Sequence, residues 1–200
     1  MSSPDPTISA ADWAGAAWLL RCDVPACRTI GIVETAAFGP FTDDGKPTVL
    51  FERHVFDRLT TGKHRGAFVP GGGPIWGNIS LPTPGGYGPE SKQHERLDAA
   101  AKLDRDAALR SASWGTFQIM GFNFRAAGFP DVQAFVNAMY RSAADHLRAF
   151  ACLVHSNPAL EEALRKHDWP TVKRLWNGPA PNDYVARLNV AWQVANSTSP

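Results

Sequence analysis

Three side chains in this 200-residue chain, Glu34, Gln118 and Glu52, stand in company that could make them do chemistry. Glu34 follows Ile30, Ile32 and Val33 near the expected end of a helix. The negative end of a helix dipole and apolar neighbours both disfavour an ionised carboxyl, so both raise its pKa. A raised carboxyl is what a general acid needs near neutral pH. A solvated or ion-paired helix-end glutamate would carry the same local pattern, and the residues alone leave both open.

Gln118 sits among Phe117, Ile119 and Met120, just after the small residues Ala112, Ser113 and Gly115. A buried amide must find partners or cost roughly 1–3 kcal/mol. It can meet that need by tying down a loop or by holding a polar ligand at the wall of an apolar cleft. Glu52 is a second carboxylate, and its neighbour Arg53 makes a structural salt bridge the simplest expectation.

Other chemistries find little support. The six histidines, at 54, 64, 94, 146, 155 and 167, show neither H-E-x-x-H nor another compact ligand spacing, so no metal or cofactor is expected. Cys22, Cys27 and Cys152 are an odd number without C-x-x-C spacing and read as reduced, partly buried thiols, with one bridge left open. A formal net charge of +1 and the lack of a basic block argue against nucleic acid as a partner. The N-terminus has no basic n-region, and the apolar patch near Leu20 is too short for a signal peptide or stable membrane insertion. Synthesis in the cytoplasm is therefore expected.

These side chains need elements to place them. Ser9 with Asp12 three residues on predicts a capped helix near 9–21, and Asp23-Val24-Pro25 opens a second that ends around 36–39. A turn at 42–47 precedes a short strand, Thr48 to Phe51, and helical spacing returns through Val55, Phe56 and Leu59. Between residues 61 and 90 fall nine of the seventeen glycines and five of the sixteen prolines. Phe68, Trp76, Ile79, Leu81 and Tyr87 would anchor that stretch as an ordered excursion with a small β element, forming a cleft wall. Residues 89–111 are helix-rich, with Leu103 on the apolar side. One long core helix is expected from Asp131 to Val154, then shorter ones opened by Asn157, Asp168, and Asn182 or Asp183, with a frayed tail at 196–200. The whole, residues 1–200, reads as a single mainly α domain.

Three segments, Val33-Glu34-Thr35, residues 111–120, and Trp176-Asn177-Gly178 with Tyr184, resemble in order the goose-type lysozymes and soluble lytic transglycosylases. A closer resemblance is to the N-acetylmuramidase family of phage endolysins and related bacterial proteins. It is carried by residues 50–56, Tyr87-Gly88-Pro89, residues 103–111 and Asp168-Trp169, and covers roughly 9–195. The resemblance implies a lysozyme-like helical fold and peptidoglycan glycan strands as substrate, with Glu34 on the family's catalytic glutamate. Ser113, Gln118, Asn177 and Tyr184 would position the sugar, Tyr87 and the Gly/Pro-rich excursion would close one side, and Glu52 is the first candidate for a second carboxylate, ahead of Asp43 or Asp44. Thr35 and Trp176 depart from the family's usual serine and tyrosine. The implied activity is muramidase cleavage by a monomer that reaches the periplasm or cell wall through a holin-like pore or secretion machinery. A lytic transglycosylase giving 1,6-anhydro ends and a non-catalytic peptidoglycan-binding module are the alternatives.

Overall fold

The computed structural model describes residues 4–35, 39–178 and 183–197, apart from the side chains at 35 and 75. Helix α1, Ala10–Leu20, starts from the expected capping box: the Ser9 hydroxyl accepts from the Asp12 N–H, and Asp12 accepts from the Ser9 N–H at 2.9 Å. It stops at Arg21 in the left-handed conformation (φ 51°). Helix α2, Val24–Thr35, follows at once, capped by Asp23 through a 2.7 Å bond from the Ala26 N–H. The end predicted for α2 at 36–39 falls mostly outside the described residues.

Strand β1, Val49–Phe51, leads into α3, Arg53–Leu59. The excursion that follows is ordered, as its anchors suggest, but holds only a four-residue helix, α4, Gly73–Trp76, and one bridge between Phe68 and Asn78. The side chains of α5, Gln93–Ala101, stitch it down. Fully buried Arg96 donates to the carbonyls of Phe51, Asn78 and Tyr87, and Gln93 donates to Tyr87 at 2.6 Å while accepting from the Phe51 N–H at 3.0 Å. Buried Asp57 adds a bidentate pair with Arg65 and a bond from Ser80.

Asp104 caps α6, Arg105–Arg110, and Leu103, in the turn before it, is exposed rather than packed. The chain then forms a hairpin, β2, Ala112–Trp114, and β3, Ile119–Met120, which completes a three-stranded antiparallel sheet in the order β1-β2-β3. The sheet therefore lies here, and the excursion holds only its single bridge. Leu50, Ser113 and Met120 stand opposite one another across the sheet, while Val49, Phe51, Ala112, Trp114 and Ile119 face the core.

The long helix expected from 131 to 154 is two: α7, Val132–Met139, capped by Asp131, and α8, Ala143–His155, capped by Ser142. The break is imposed from a distance. Asp5 pairs with Ser142 as a parallel bridge, its N–H donating to the Arg141 carbonyl and its carbonyl accepting from the Ala143 N–H at 2.8 Å. Helix α8 is the centre of the core, with Leu147, Phe150, Ala151 and Val154 fully buried, each large apolar side chain contributing about 1.5–3 kcal/mol. Helices α1, α7 and α9, Pro158–Arg165, pack on it, and α10, Trp169–Val172, a π-helical segment, Lys173–Asn177, and α11, Tyr184–Ser197, follow, with α11 packed on α2. Helix α11 runs through Asn196 and Ser197, which were expected to fray; of its two expected caps Asn182 lies outside the described residues, and Asp183 directly precedes the helix, its carbonyl accepting from the Arg187 N–H at 3.0 Å. No helix among the described residues is long and apolar enough to cross a membrane.

Candidate functional site

Glu34 is the next-to-last residue of α2 and points between α11 and the π-helical segment. Gly31, three residues earlier, lies under Trp13 of α1, where a Cβ would come within 2.6 Å of the indole. Glycine thus lets α1 close on α2. At the other end, Arg187 donates to the Val33 carbonyl at 2.7 Å, fixing the last turn.

The two oxygens of Glu34 are in different positions. Oε1 receives the Tyr184 hydroxyl at 2.5 Å and the Trp176 indole N–H at 3.3 Å. Burial raises the pKa of Glu34; the bonds from Tyr184 and Trp176 and the charge of Arg187 pull against it, and burial wins. Burial, then the adjacent carboxyl, pushes the Tyr184 phenol far above its usual range, so it stays a donor.

Trp176 is aimed by the core. Phe117 of the hairpin stacks on Phe150 of α8 at 4.5 Å, and Phe150 meets Trp176 edge-on at 5.1 Å. The wider backbone of the π-helical turn brings the indole from there to Glu34.

The hairpin is held in a strained form. Gly115 has φ 65°, and a Cβ there would strike the His146 ring at 2.6 Å. His146 is buried and saturated: Nδ1 accepts from the Thr116 N–H at 3.1 Å, and Nε2 donates to the Met139 carbonyl at 2.8 Å. Burial holds its pKa down, as neutral imidazole requires. Gln118 is left-handed at φ 46°, a conformation costing about 1–3 kcal/mol in a residue with a side chain. Its amide offsets this by accepting from Ser113 at 2.8 Å and donating to the Gly115 carbonyl at 2.9 Å. The amide thus ties the hairpin, one of its two expected uses, and the same side chain borders a cleft.

That cleft has a volume of about 530 Å³. Glu34 stands on one side, the hairpin residues 117–120 on another, Trp176 and Asn177 beside it, and Leu153 of α8, Leu160 of α9, the cap Asn157 and Asn123 are among the rest. Among its described lining residues Glu34 is the sole carboxylate.

The expected site residues thus divide. Glu34, Gln118, Asn177 and Tyr184 come together, with Ser113 behind Gln118 rather than on the cleft. Glu52 and Tyr87 do not line it. Glu52 heads α3 without capping it, and its Oε2 lies 3.1 Å from His54 Nδ1. Burial, then the charge of Glu52, raises the pKa of the Tyr87 phenol. The expected Glu52–Arg53 salt bridge is not made, because Arg53 turns instead to the Thr83 and Pro84 carbonyls of the excursion. Asp44 pairs with Lys46 at 2.7 Å and accepts from Thr42, which hold its carboxyl down at about 2, on a different cavity. No described residue of 61–90 borders the Glu34 cleft.

Sequence reasoning did not single out Trp176 as a partner of Glu34, nor Arg187, Asn123 and Asn157. The signals were a tryptophan in place of a tyrosine before Asn177-Gly178, and an arginine one helical turn after Tyr184. Among the described residues no group of three or more His, Cys, Asp or Glu could hold a metal ion.

Comparison with known proteins adds three findings. The family model for N-acetylmuramidases matches residues 23–196. The crystal structure of a Burkholderia AP3 phage endolysin is similar at a TM-score of 0.82 and 32% identity, over 96% of this chain and 72% of that one. No curated protein matches significantly.

Proposed function

The chain belongs to the N-acetylmuramidase family, and from that premise we propose that it hydrolyses the β-1,4 bond between N-acetylmuramic acid and N-acetylglucosamine in peptidoglycan, with Glu34 as the general acid. One observation carries the assignment of Glu34: its Oε1 already receives Tyr184 and Trp176, so a proton on the carboxyl belongs on Oε2. Burial raises the pKa of this carboxyl and two donors orient it, the combination that delivering a proton to a leaving sugar oxygen requires. Asn177 and the outer edge of Gln118 would orient the sugar, Ser113 would position Gln118, and Tyr184 would position the acid.

The likeness to a phage endolysin supports an enzyme that acts on the cell wall, and we propose that it does so as a monomer after passing a holin-like pore or a secretion apparatus. Tyr87 and Glu52 would then serve a more distant stretch of the glycan. A second reading, a lytic transglycosylase, is favoured by one feature: no other carboxylate among the described residues lines the cleft. A single glutamate can act as acid and then as base while the muramic hydroxyl attacks internally.

Digesting purified peptidoglycan with the protein and with Glu34→Gln, and identifying new ends by mass spectrometry, tests both readings. Reducing muramic ends from the native chain, with a loss of roughly 10²–10⁴-fold in Glu34→Gln, are expected. Anhydro ends would move the chain to the transglycosylases. Wall binding without new ends would leave a binding module.

A further inference from the structure

The corner between α1 and α2 carries a pair of thiols that the glycan chemistry does not use. Cys22 follows the left-handed Arg21 that ends α1, and its N–H returns to the Ala17 carbonyl at 3.1 Å. Cys27 lies in the first turn of α2 and is fully buried, and the Sγ atoms are 3.4 Å apart. Asp23, between the two in sequence, caps α2 with one oxygen and meets His167 Nε2 with the other at 2.7 Å, which holds the corner that carries both sulfurs. We propose that Cys22 and Cys27 form a cross-linking site, oxidised to an intramolecular disulfide by exchange with an external disulfide such as oxidised glutathione.

The two sulfurs have different parts. Cys22 is the half-exposed one, and the hydrogen bond from Cys27 favours its thiolate, whereas Cys27 is buried and held protonated. The Cys22 thiolate attacks a sulfur of the external disulfide, breaking its S–S bond and expelling one thiolate. Cys27 then gives up its proton and attacks Cys22 Sγ, expelling the second. The protein loses two electrons and two protons, and one disulfide becomes two thiols. Oxidation would join the end of α1 to the start of α2, the helix that presents Glu34 at its far end, in a compartment where disulfides persist.

The test uses the full chain, treated with oxidised glutathione, alkylated and weighed intact. Of three alkylatable thiols one should remain, Cys152, with Cys22 and Cys27 joined in one peptide under non-reducing digestion. Short-loop closure in a chain of this size should raise the melting midpoint by roughly 4–8 °C, reversed by reductant. Cys27→Ser should stop at a glutathione adduct on Cys22, and Cys152→Ser should close as the native chain does. Three alkylated thiols, a lasting adduct on the native chain, a bridge through Cys152, or closure without a rise in midpoint would each overturn the proposal. None of these readouts depends on glycan cleavage, so the result is separable from the proposed activity.

Discussion

Tyr184→Phe removes one hydroxyl and keeps the ring, and its effect can be worked out from the surroundings of Glu34. Tyr184 is 3% exposed, so solvent cannot readily replace its 2.5 Å bond to Oε1. A hydrogen bond to a charged group contributes about 1.5–3 kcal/mol, against about 0.5–1.5 for a neutral one, so the hydroxyl favours the carboxylate over the acid by roughly 1–1.5 kcal/mol. At 1.36 kcal/mol per tenfold, losing it changes the ratio of protonated to ionised Glu34 by about 5–12-fold toward the acid. Burial already pushes Glu34 upward, and the variant should push it further. The alkaline limb of kcat, where a general acid loses its proton, should then move to higher pH. On that falling limb the variant should keep about 5–12-fold more of its own maximal rate than the native chain does. Tyr184 does not itself produce the limb, since its phenol is pushed far above that range. The assay is the initial rate of new ends from peptidoglycan over a pH series at constant ionic strength. A limb that stays in place, or moves down, would show that Tyr184 does not stabilise the Glu34 carboxylate and that the argument for a donor-oriented acid is wrong.

The same burial has a signature in stability. Because Glu34 titrates higher when folded, the native state holds more protons between the usual carboxylate pKa and the raised one, so stability declines as pH rises through that window. Glu34→Gln should therefore gain on the native chain as pH climbs in urea unfolding and lose that gain below the usual carboxylate range; a gain that shrinks with rising pH would contradict the sign. His146 runs the other way: its folded pKa is depressed, so its contribution is present above about pH 6.5 and is lost as pH falls through the folded value, read as a falling melting midpoint in the Glu34→Gln background. Gly115→Ala puts a Cβ into His146 at φ 65° and should destabilise by about 2–4 kcal/mol, measured as a urea midpoint; an unchanged midpoint would mean the hairpin has room to yield.

What could be read from the sequence was mostly what neighbours in sequence decide. The caps at Ser9, Asp131, Asn157 and Asp168 each satisfy an N–H within three residues, so composition alone locates them. The split between α7 and α8 was invisible because Met139, Ala143 and Leu147 keep helical spacing across it, while the residue that interrupts it is Asp5. The hairpin escaped because Ala112, Ser113 and Trp114 are all buried, so no alternation marks the strand. Glu34 was legible as a carboxyl in apolar company, whereas the family likeness gave Tyr184 as a residue that positions the sugar, and its hydroxyl bonds Glu34 instead. The donors to its Oε1 lie 142 and 150 residues away, and only tertiary packing could say which oxygen they reach. The pairing of Glu52 with His54 was lost for a related reason: Arg53, the nearer cation in sequence, is claimed by carbonyls at 83 and 84.

The π-helical turn at Lys173–Asn177 bears on how such an enzyme changes over generations. A turn of this kind holds one residue more than an α-helix would, and each residue of a helix rotates the next by about 100°. Deleting Arg174, whose side chain is exposed, would let the segment relax to an ordinary helix and swing Trp176 away from Glu34, leaving α8 and the rest of the core intact. The expected product is a folded chain whose Glu34 has lost the Trp176 donor, so one lost codon would unseat the proposed acid, and the reverse insertion is an equally short path back.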